Sequence, residues 1–266
     1  MTRVLVLGAG GRVGAAVCQA VHEDPELTLA AAVDPAAAGA SDHTSAGGVP
    51  LVSSPFVDIV ASINEVDPGT VDVAVDFTVL EAARQNLVWC AAHGVHAVVG
   101  TSGFTEDEVA GLASQFVSSN CIVAPNFAIG AVLMMRFAEL AAPFFPTAEI
   151  IELHHDRKID APSGTARNTL ERMAAASSDW APDPTEIESV EGARGGSGPG
   201  NIRVHSVRLR GLVAHQEVIL GTEGETLTIR HDSIDRTSFM GGVLLACREV
   251  GSHPGVTLGL DSYMGL

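Results

Sequence analysis

The stretch ELHHDRKIDAPSGTA, residues 152 to 166, brings two histidines, a lysine and a Ser-Gly-Thr turn into one short segment. Lys158 is the only lysine among the 15 basic residues of the chain; the rest are arginines. Arginine stays charged and cannot act as an acid near neutral pH, whereas lysine can shift its pKa and give up a proton. A sequence that writes every other cation as Arg and keeps one Lys beside His154 and His155 points to proton transfer. The adjacent histidines lack the spacing of a metal-binding pair, so no metal is expected. Ser163 reads as a helix N-cap, with Asp160 and Pro162 leading into it. Gly164 and Thr165 then offer backbone amides and a hydroxyl to an anion at that helix N-terminus, and a carboxylate suits the position.

An apolar strand over 148–153 must deliver these residues, and it ends with His154 and His155 pointing to opposite faces. One of the pair can face a site while the other packs. A helix over 164–176 follows. Three further strands near 202–210, 213–221 and 225–232, after a Pro-rich acidic stretch and a Gly-rich loop, suggest an α+β domain. A helix over 238–251 closes the chain. The roles of Arg194, His205 and His215 stay open between packing, oligomer contacts and substrate contacts.

The first half has a different texture. RVLVLGAGGRVGAAVCQAV opens with a β-branched run, turns through glycines and continues with helical periodicity. Gly8, Gly11 and Gly14 make G-x-x-G-x-x-G, and the strict G-x-G-x-x-G fails because position 13 is Val13. The turn Gly8, Ala9, Gly10, Gly11, Arg12 and Val13 follows a strand and opens a helix, where free amides and the positive dipole end could hold a pyrophosphate. Asp34 ends the second strand, where a carboxylate can accept bonds from ribose hydroxyls. Pro35 supplies no cation for a 2′-phosphate, which favours NADH, while Arg12 keeps NADPH open. Asp76, Phe77 and Thr78 end a central strand, and GTSG (100–103) and APNF (124–127) follow two more. A capping box of Thr105 and Glu108 opens a helix between them. Strand and helix in alternation imply a doubly wound Rossmann-type parallel sheet, with its ligand beyond the carboxyl ends of the strands. The expected division is a dinucleotide-binding domain at 1–126, a substrate and oligomerisation domain at 127–236, and a segment at 237–266 that returns to the first.

Length and composition agree with a folded chain: 266 residues, 46% hydrophobic, can bury a substantial core. A formal charge of −17 opposes nucleic acid and anionic membrane surfaces as partners. An anionic ligand therefore needs a local positive island. No apolar run reaches membrane-spanning length and no signal peptide is legible near the start, so a cytoplasmic location is expected. Cys18, Cys90, Cys121 and Cys247 form no C-x-x-C and read as buried free thiols.

The Gly8 turn, VDFT, VVGTSGF, APNFAIG, ELHHDRKIDAPSGTA and RHDSIDRTSF together resemble the dihydrodipicolinate reductase family over essentially the whole chain. The glycine turn is shared by many dehydrogenases, whereas the His-His-Lys-Ser-Gly-Thr segment is specific to that family. The resemblance implies reduction of 4-hydroxy-tetrahydrodipicolinate by NADH or NADPH in the diaminopimelate route to lysine. It implies His154 as acid/base residue, Lys158 as proton donor, and His155, Gly164 and Thr165 as holders of a cyclic dicarboxylate. Gly100, Thr101, Ser102, Ala124, Pro125, Asn126 and Phe127 would line the nicotinamide. Ser102 departs from the family's usual G-T-T turn. A homotetramer built through the sheet of the second domain is implied as well. Two alternatives stay open on the residues alone: a dehydrogenase acting on an imine, and a binding module that senses dinucleotides.

Overall fold

The computed structural model describes residues 1–39 and 57–266, which form two compact units. One comprises Met1–Phe127 and Phe239–Leu266, the other Ala128–Ser238.

The first unit begins with β1 (Thr2–Leu7), α1 (Arg12–Glu23), β2 (Leu27–Val33) and β3 (Ile59–Val60). It continues with β4 (Val73–Asp76), α2 (Leu80–His93), β5 (His96–Val99), α3 (Glu106–Leu112) and β6 (Cys121–Val123). These strands lie in one all-parallel sheet, in the order β12-β6-β5-β4-β1-β2-β3, where β12 (Val256–Leu258) is supplied by the chain's last segment. Parallel strands are covered on both faces and read as unbroken apolar runs. Val4, Leu5, Val6, Ala74, Val75, Val98, Val99 and Ile122 are accordingly almost fully buried. The helix that closes this unit, α6 (Met240–Glu249), buries Met240, Val243 and Cys247.

One element is shorter than its periodicity suggests. Residues 105–119 look helical, and the capping box forms: Glu108 N–H donates to Thr105 Oγ1 (3.2 Å), and Glu108 Oε2 accepts from Thr105 N–H (2.8 Å). Yet α3 ends at Leu112, after Gly111, and the chain continues in tighter turns such as Gln115 N–H to Leu112 C=O. A glycine one residue before the end lowers the helix preference where the chain must turn toward β6.

The second unit packs α4 (Ile129–Ala141) and α5 (Gly164–Ala176) on a mixed sheet in the order β11-β10-β7-β9-β8. Its strands are β7 (Thr147–His154), β8 (Gly196–Ser197), β9 (Arg203–Arg208), β10 (Ala214–Thr222) and β11 (Glu225–Ser233). β10 is antiparallel to β7 and β11, while β9 runs parallel to β7. Period-two alternation puts Ala148, Ile150, Val204, Val218 and Leu220 into one core with Ala138, Ala166, Leu170 and Met173. The residues between them, including Glu149, Ile151, His205, Glu217 and Arg230, project to the other face. On that face Glu149 receives Arg194 (2.6 Å) and His205 (2.7 Å), and Asp232 receives His215 (2.7 Å). The three residues without an assignment in the sequence thus hydrogen-bond to carboxylates on the sheet surface.

Candidate functional site

In the first unit, the carboxyl ends of β1, β2, β4, β5 and β6 carry every residue expected to hold a dinucleotide. The strand order reverses between β1 and β4, the position at which open α/β sheets bind ligands. The glycines there are required by the backbone. Gly8 has φ +83°, a region that penalises side chains, and a Cβ on Gly14 would lie 2.0 Å from Gly8 O. A Cβ on Gly10 would meet Ala37 at 2.7 Å and Asp34 Oδ2 at 2.8 Å. Among the described residues no side chain caps α1, whose first residue is the exposed Arg12, with Val13 next to it. Ala9 N–H and Gly8 N–H both donate to Val33 C=O. Asp34 accepts from Gly10 N–H (2.9 Å) through Oδ2 and from Ala36 N–H (2.9 Å) through Oδ1. A carboxylate has about four acceptor sites, so two bonds leave capacity for hydroxyl donors.

Asp76 ties two of the loops together. Buried at the end of β4, its Oδ1 accepts from Thr78 N–H (2.9 Å), Thr78 Oγ1 (2.7 Å) and Thr101 Oγ1 (2.8 Å), and its Oδ2 from Asn86 (2.8 Å). Phe77 packs so closely that a Cβ on Gly100 would fall 2.1 Å from its ring. The Phe77 ring also stands 5.8 Å from that of Phe127, which is buried, and Ala124 N–H closes onto Val99 C=O. Ser102, Pro125 and half-buried Asn126 line the outer rim of these turns. Glycines with no room for a Cβ, an uncapped helix start and an acidic strand end fit a dinucleotide.

In the second unit the chemistry gathers at the end of β7. Glu152 is fully buried on the helix-covered face, two residues before His154. Arg208 grips it in a fork, Nη1 to Oε2 at 2.9 Å and Nη2 to Oε1 at 2.7 Å. His154 Nδ1 lies 2.5 Å from Oε2, and Ser163 N–H donates to Oε1 at 3.3 Å. Arg208 Nη2 also reaches Asp160 C=O at 2.6 Å, while the Asp160 carboxylate takes both its bonds from Lys158 Nζ, at 2.8 and 2.9 Å. Glu152, His154, Ser163, Arg208, Asp160 and Lys158 therefore form one connected network. Burial alone would raise the Glu152 pKa, yet the hydrogen bonds from His154, Arg208 and Ser206 outweigh it and hold it at about 2. Stability from this ionised group is fully present above about 4.5 and is lost as pH falls toward about 2. The bond from Lys158 likewise keeps the Asp160 carboxyl below the usual range.

Ser163 caps α5, its Oγ accepting from Ala166 N–H at 3.2 Å. Asp160 does not help to start this helix, because its side chain is engaged by Lys158. Gly164 is exposed with an ordinary φ, and a Cβ there would meet nothing within 4 Å. The fold does not need this glycine. Thr165, half-buried, follows in the first turn, and the half-buried His155 has its Nδ1 enclosed without a hydrogen-bond partner among the described residues. The spacing of the sequence singled out His154, Lys158 and Ser163 but passed over Glu152 and Arg208. The available signal was a carboxylate at a core-facing position of an apolar strand, two residues before a histidine.

Two family models match the chain: "Dihydrodipicolinate reductase, N-terminus" over residues 2–127 and "Dihydrodipicolinate reductase, C-terminus" over 130–264. Curated relatives called 4-hydroxy-tetrahydrodipicolinate reductase include that of Cutibacterium acnes, 48% identical with both chains fully covered. That of Nocardia farcinica is 49% identical with 99% of each chain covered. Among solved structures, a dipicolinate-bound dihydrodipicolinate reductase from Paenisporosarcina sp. TG-14 matches with a TM-score of 0.86, 39% identity, and coverage of 98% of this chain and 99% of that one. An amine dehydrogenase from Mycobacterium smegmatis, at 17% identity and a TM-score of 0.65 over 98% and 95% of the two chains, shares the fold.

Proposed function

The chain belongs to the dihydrodipicolinate reductase family, and from that premise we propose that it reduces 4-hydroxy-tetrahydrodipicolinate to tetrahydrodipicolinate, with loss of water, in the diaminopimelate route to lysine. It is an oxidoreductase of the NAD(P)H type. The observation that carries the finer reading is the connected network at the end of β7, which links an imidazole, an ammonium and a capped helix terminus.

Each residue then has a task. A bound nicotinamide supplies a hydride, so the protein's own contribution is to hold the acceptor and manage one proton. The α5 terminus, with Gly164 and Thr165, binds a ring carboxylate through first-turn amides and a hydroxyl. His155 and Lys158 hold the dicarboxylate from the other side and form the positive island that a chain of charge −17 requires. His154 serves as acid/base residue. Lys158 Nζ supplies the proton that completes reduction, and its present partner Asp160 accepts from it through both carboxylate oxygens. Much of the acceleration comes from holding these groups in place.

In the first unit, Gly8, Ala9, Gly10, Gly11, Arg12 and Val13 cradle the pyrophosphate, and Asp34 receives the ribose hydroxyls, which favours NADH. Phe77, Thr78, Gly100, Thr101, Ser102, Ala124, Pro125, Asn126 and Phe127 surround the nicotinamide. No metal takes part in this reading. The protein works in the cytoplasm as a homotetramer, joined through the face of the second sheet that bears Ile151, Glu217 and Arg230.

Oxidation of NADH, followed by its absorbance with freshly made 4-hydroxy-tetrahydrodipicolinate and repeated with NADPH, tests the proposal. Turnover that needs the cyclic substrate, and prefers NADH, is the expected result. No turnover with either coenzyme, from folded protein, overturns it. His154→Gln should abolish most of the rate.

A further inference from the structure

The charged fork beneath His154 has a larger role than filling the core. We propose that Glu152 is a positioning residue for the reaction: it fixes the His154 tautomer and leaves Nε2 to the substrate. This rests on the reading of His154 as the acid/base residue.

The geometry leaves little freedom. An ionised carboxylate only accepts hydrogen bonds, so the nitrogen 2.5 Å from Oε2, Nδ1, must carry the hydrogen. The lone pair of the neutral ring then sits on Nε2, which has no hydrogen-bond partner among the described residues. Glu152 stays ionised because Arg208, a donor that cannot lose its charge, holds both oxygens. Arg208 alone would neutralise the buried charge, but its two bonds leave acceptor capacity that His154 takes up. The same carboxylate also receives Ser163 N–H, so the imidazole and the α5 terminus share one anchor. A displaced ring would lose its alignment with the bound ring carboxylate.

Replacing Glu152 by Gln reverses the pattern for a countable reason. With the amide oxygen toward His154, the NH₂ group would face two donors, Arg208 Nη2 and Ser163 N–H. With the oxygen at that position instead, the NH₂ group faces only one obligate donor, Arg208 Nη1, and donates to His154 Nδ1, while the Ser206 hydroxyl can turn to accept instead of donate. The second arrangement has fewer donor–donor conflicts, and it drives the ring hydrogen from Nδ1 to Nε2.

The test is ¹⁵N NMR of histidine-labelled full-length protein at a pH where the ring is neutral, with His154 assigned by loss of its signals in His154→Gln. The native ring is expected to carry its hydrogen on Nδ1, and the Glu152→Gln ring on Nε2. The same variant should lose turnover by roughly 10²-fold, the low end of general acid–base contributions. Its affinity for NADH should stay within about twofold, since general acid–base effects act on chemistry and the proposed coenzyme residues lie in the first unit. A native ring protonated on Nε2 overturns the proposal, and this measurement stands even if Glu152→Gln does not fold. A folded Glu152→Gln protein with parental kcat, or with its hydrogen still on Nδ1, overturns it too. His154→Gln separates the two levels. If that variant turns over like the parent, the reading of the site is wrong; if it is inactive while Glu152→Gln is parental, only the positioning role falls.

Discussion

The glycine-turn end of the first sheet and the His154 end of β7 do their work with different materials. The first is made of backbone: Gly8, Gly10, Gly14 and Gly100 sit where a Cβ would lie between 2.0 and 2.8 Å from its nearest neighbour. The second is made of charge, with Glu152, Arg208, Lys158 and Asp160 drawn from three segments into one network. A backbone cradle admits any dinucleotide, which is why its motif is shared by many dehydrogenases. A charge network with the proposed proton assignments would commit to one reaction. Specificity in this chain should therefore break far more easily in the second unit than in the first.

The largest expected effect tests that contrast at Lys158. If its ammonium only balanced the substrate's carboxylates, Lys158→Arg would keep much of the activity, since guanidinium binds carboxylates at least as well. As a proton donor it cannot be replaced, and turnover should fall by ~10²- to 10⁴-fold. NADH affinity measured by calorimetry should be unchanged. The pairing with Asp160 adds a control: Asp160→Asn leaves the lysine in place, so its loss should be much smaller than that of Lys158→Arg. Near-parental kcat in folded Lys158→Arg would falsify the donor role.

Next in size is Asp34→Ala. Hydrogen bonds to a charged group are typically worth about 1.5–3 kcal/mol, so NADH affinity should fall by roughly 10- to 100-fold. NADPH, whose 2′-phosphate a carboxylate repels, should lose less. Because Asp34 also holds Gly10 N–H, part of the loss comes from the turn itself and is common to both coenzymes. Equal losses for the two would remove Asp34 from ribose recognition and leave the first unit purely a backbone cradle.

A smaller effect is expected from Gly164→Ala, and it sharpens the comparison because Gly164 is the glycine that the backbone does not require. Its Cβ would enter open space at the start of α5, where Ala is the better helix former by up to about 1 kcal/mol. Thermal stability should hold or rise slightly. If the open space is where the ring carboxylate sits, KM should rise roughly tenfold, the order expected when an added methyl costs 1–2 kcal/mol in a fitted site. An unchanged KM places the carboxylate elsewhere.

The two regions also differ in how far they could be read from the sequence. The parallel sheet, its strand-end turns and the capped α5 were legible because their signals are local: unbroken β-branched runs, a glycine triplet, Ser followed by a helical period. The short edge strands β3, β8 and β12 were not, since two or three residues carry no periodicity. The network around His154 was half hidden for a related reason. Glu152 and Arg208 are 56 positions apart and meet only because β9 pairs in parallel with β7. A register between distant strands leaves no local mark. Asp160 was visible but misread, as its neighbours Pro162 and Ser163 suggest a helix start and nothing in the spacing reveals that it holds Lys158.

The smallest effect is expected at Ser102, where the resemblance implies a threonine. The turn proposed to line the nicotinamide is fixed one residue earlier, by Thr101 Oγ1 donating to buried Asp76, and by Gly100 under the Phe77 ring. Ser102 itself is exposed. Threonine there keeps the hydroxyl and adds one methyl group to the rim, and surface substitutions away from such anchors usually stay within about 0.5 kcal/mol. Ser102→Thr should therefore leave kcat/KM with either coenzyme within about twofold of the parent, by steady-state assay. A tenfold change in either direction would mean that the side chain at 102, and not the Asp76 anchor, sets the turn. In that case the first unit would depend on a specific side chain at its rim as the second does at its core, and the distinction between a backbone cradle and a charge network would fail where it is easiest to check.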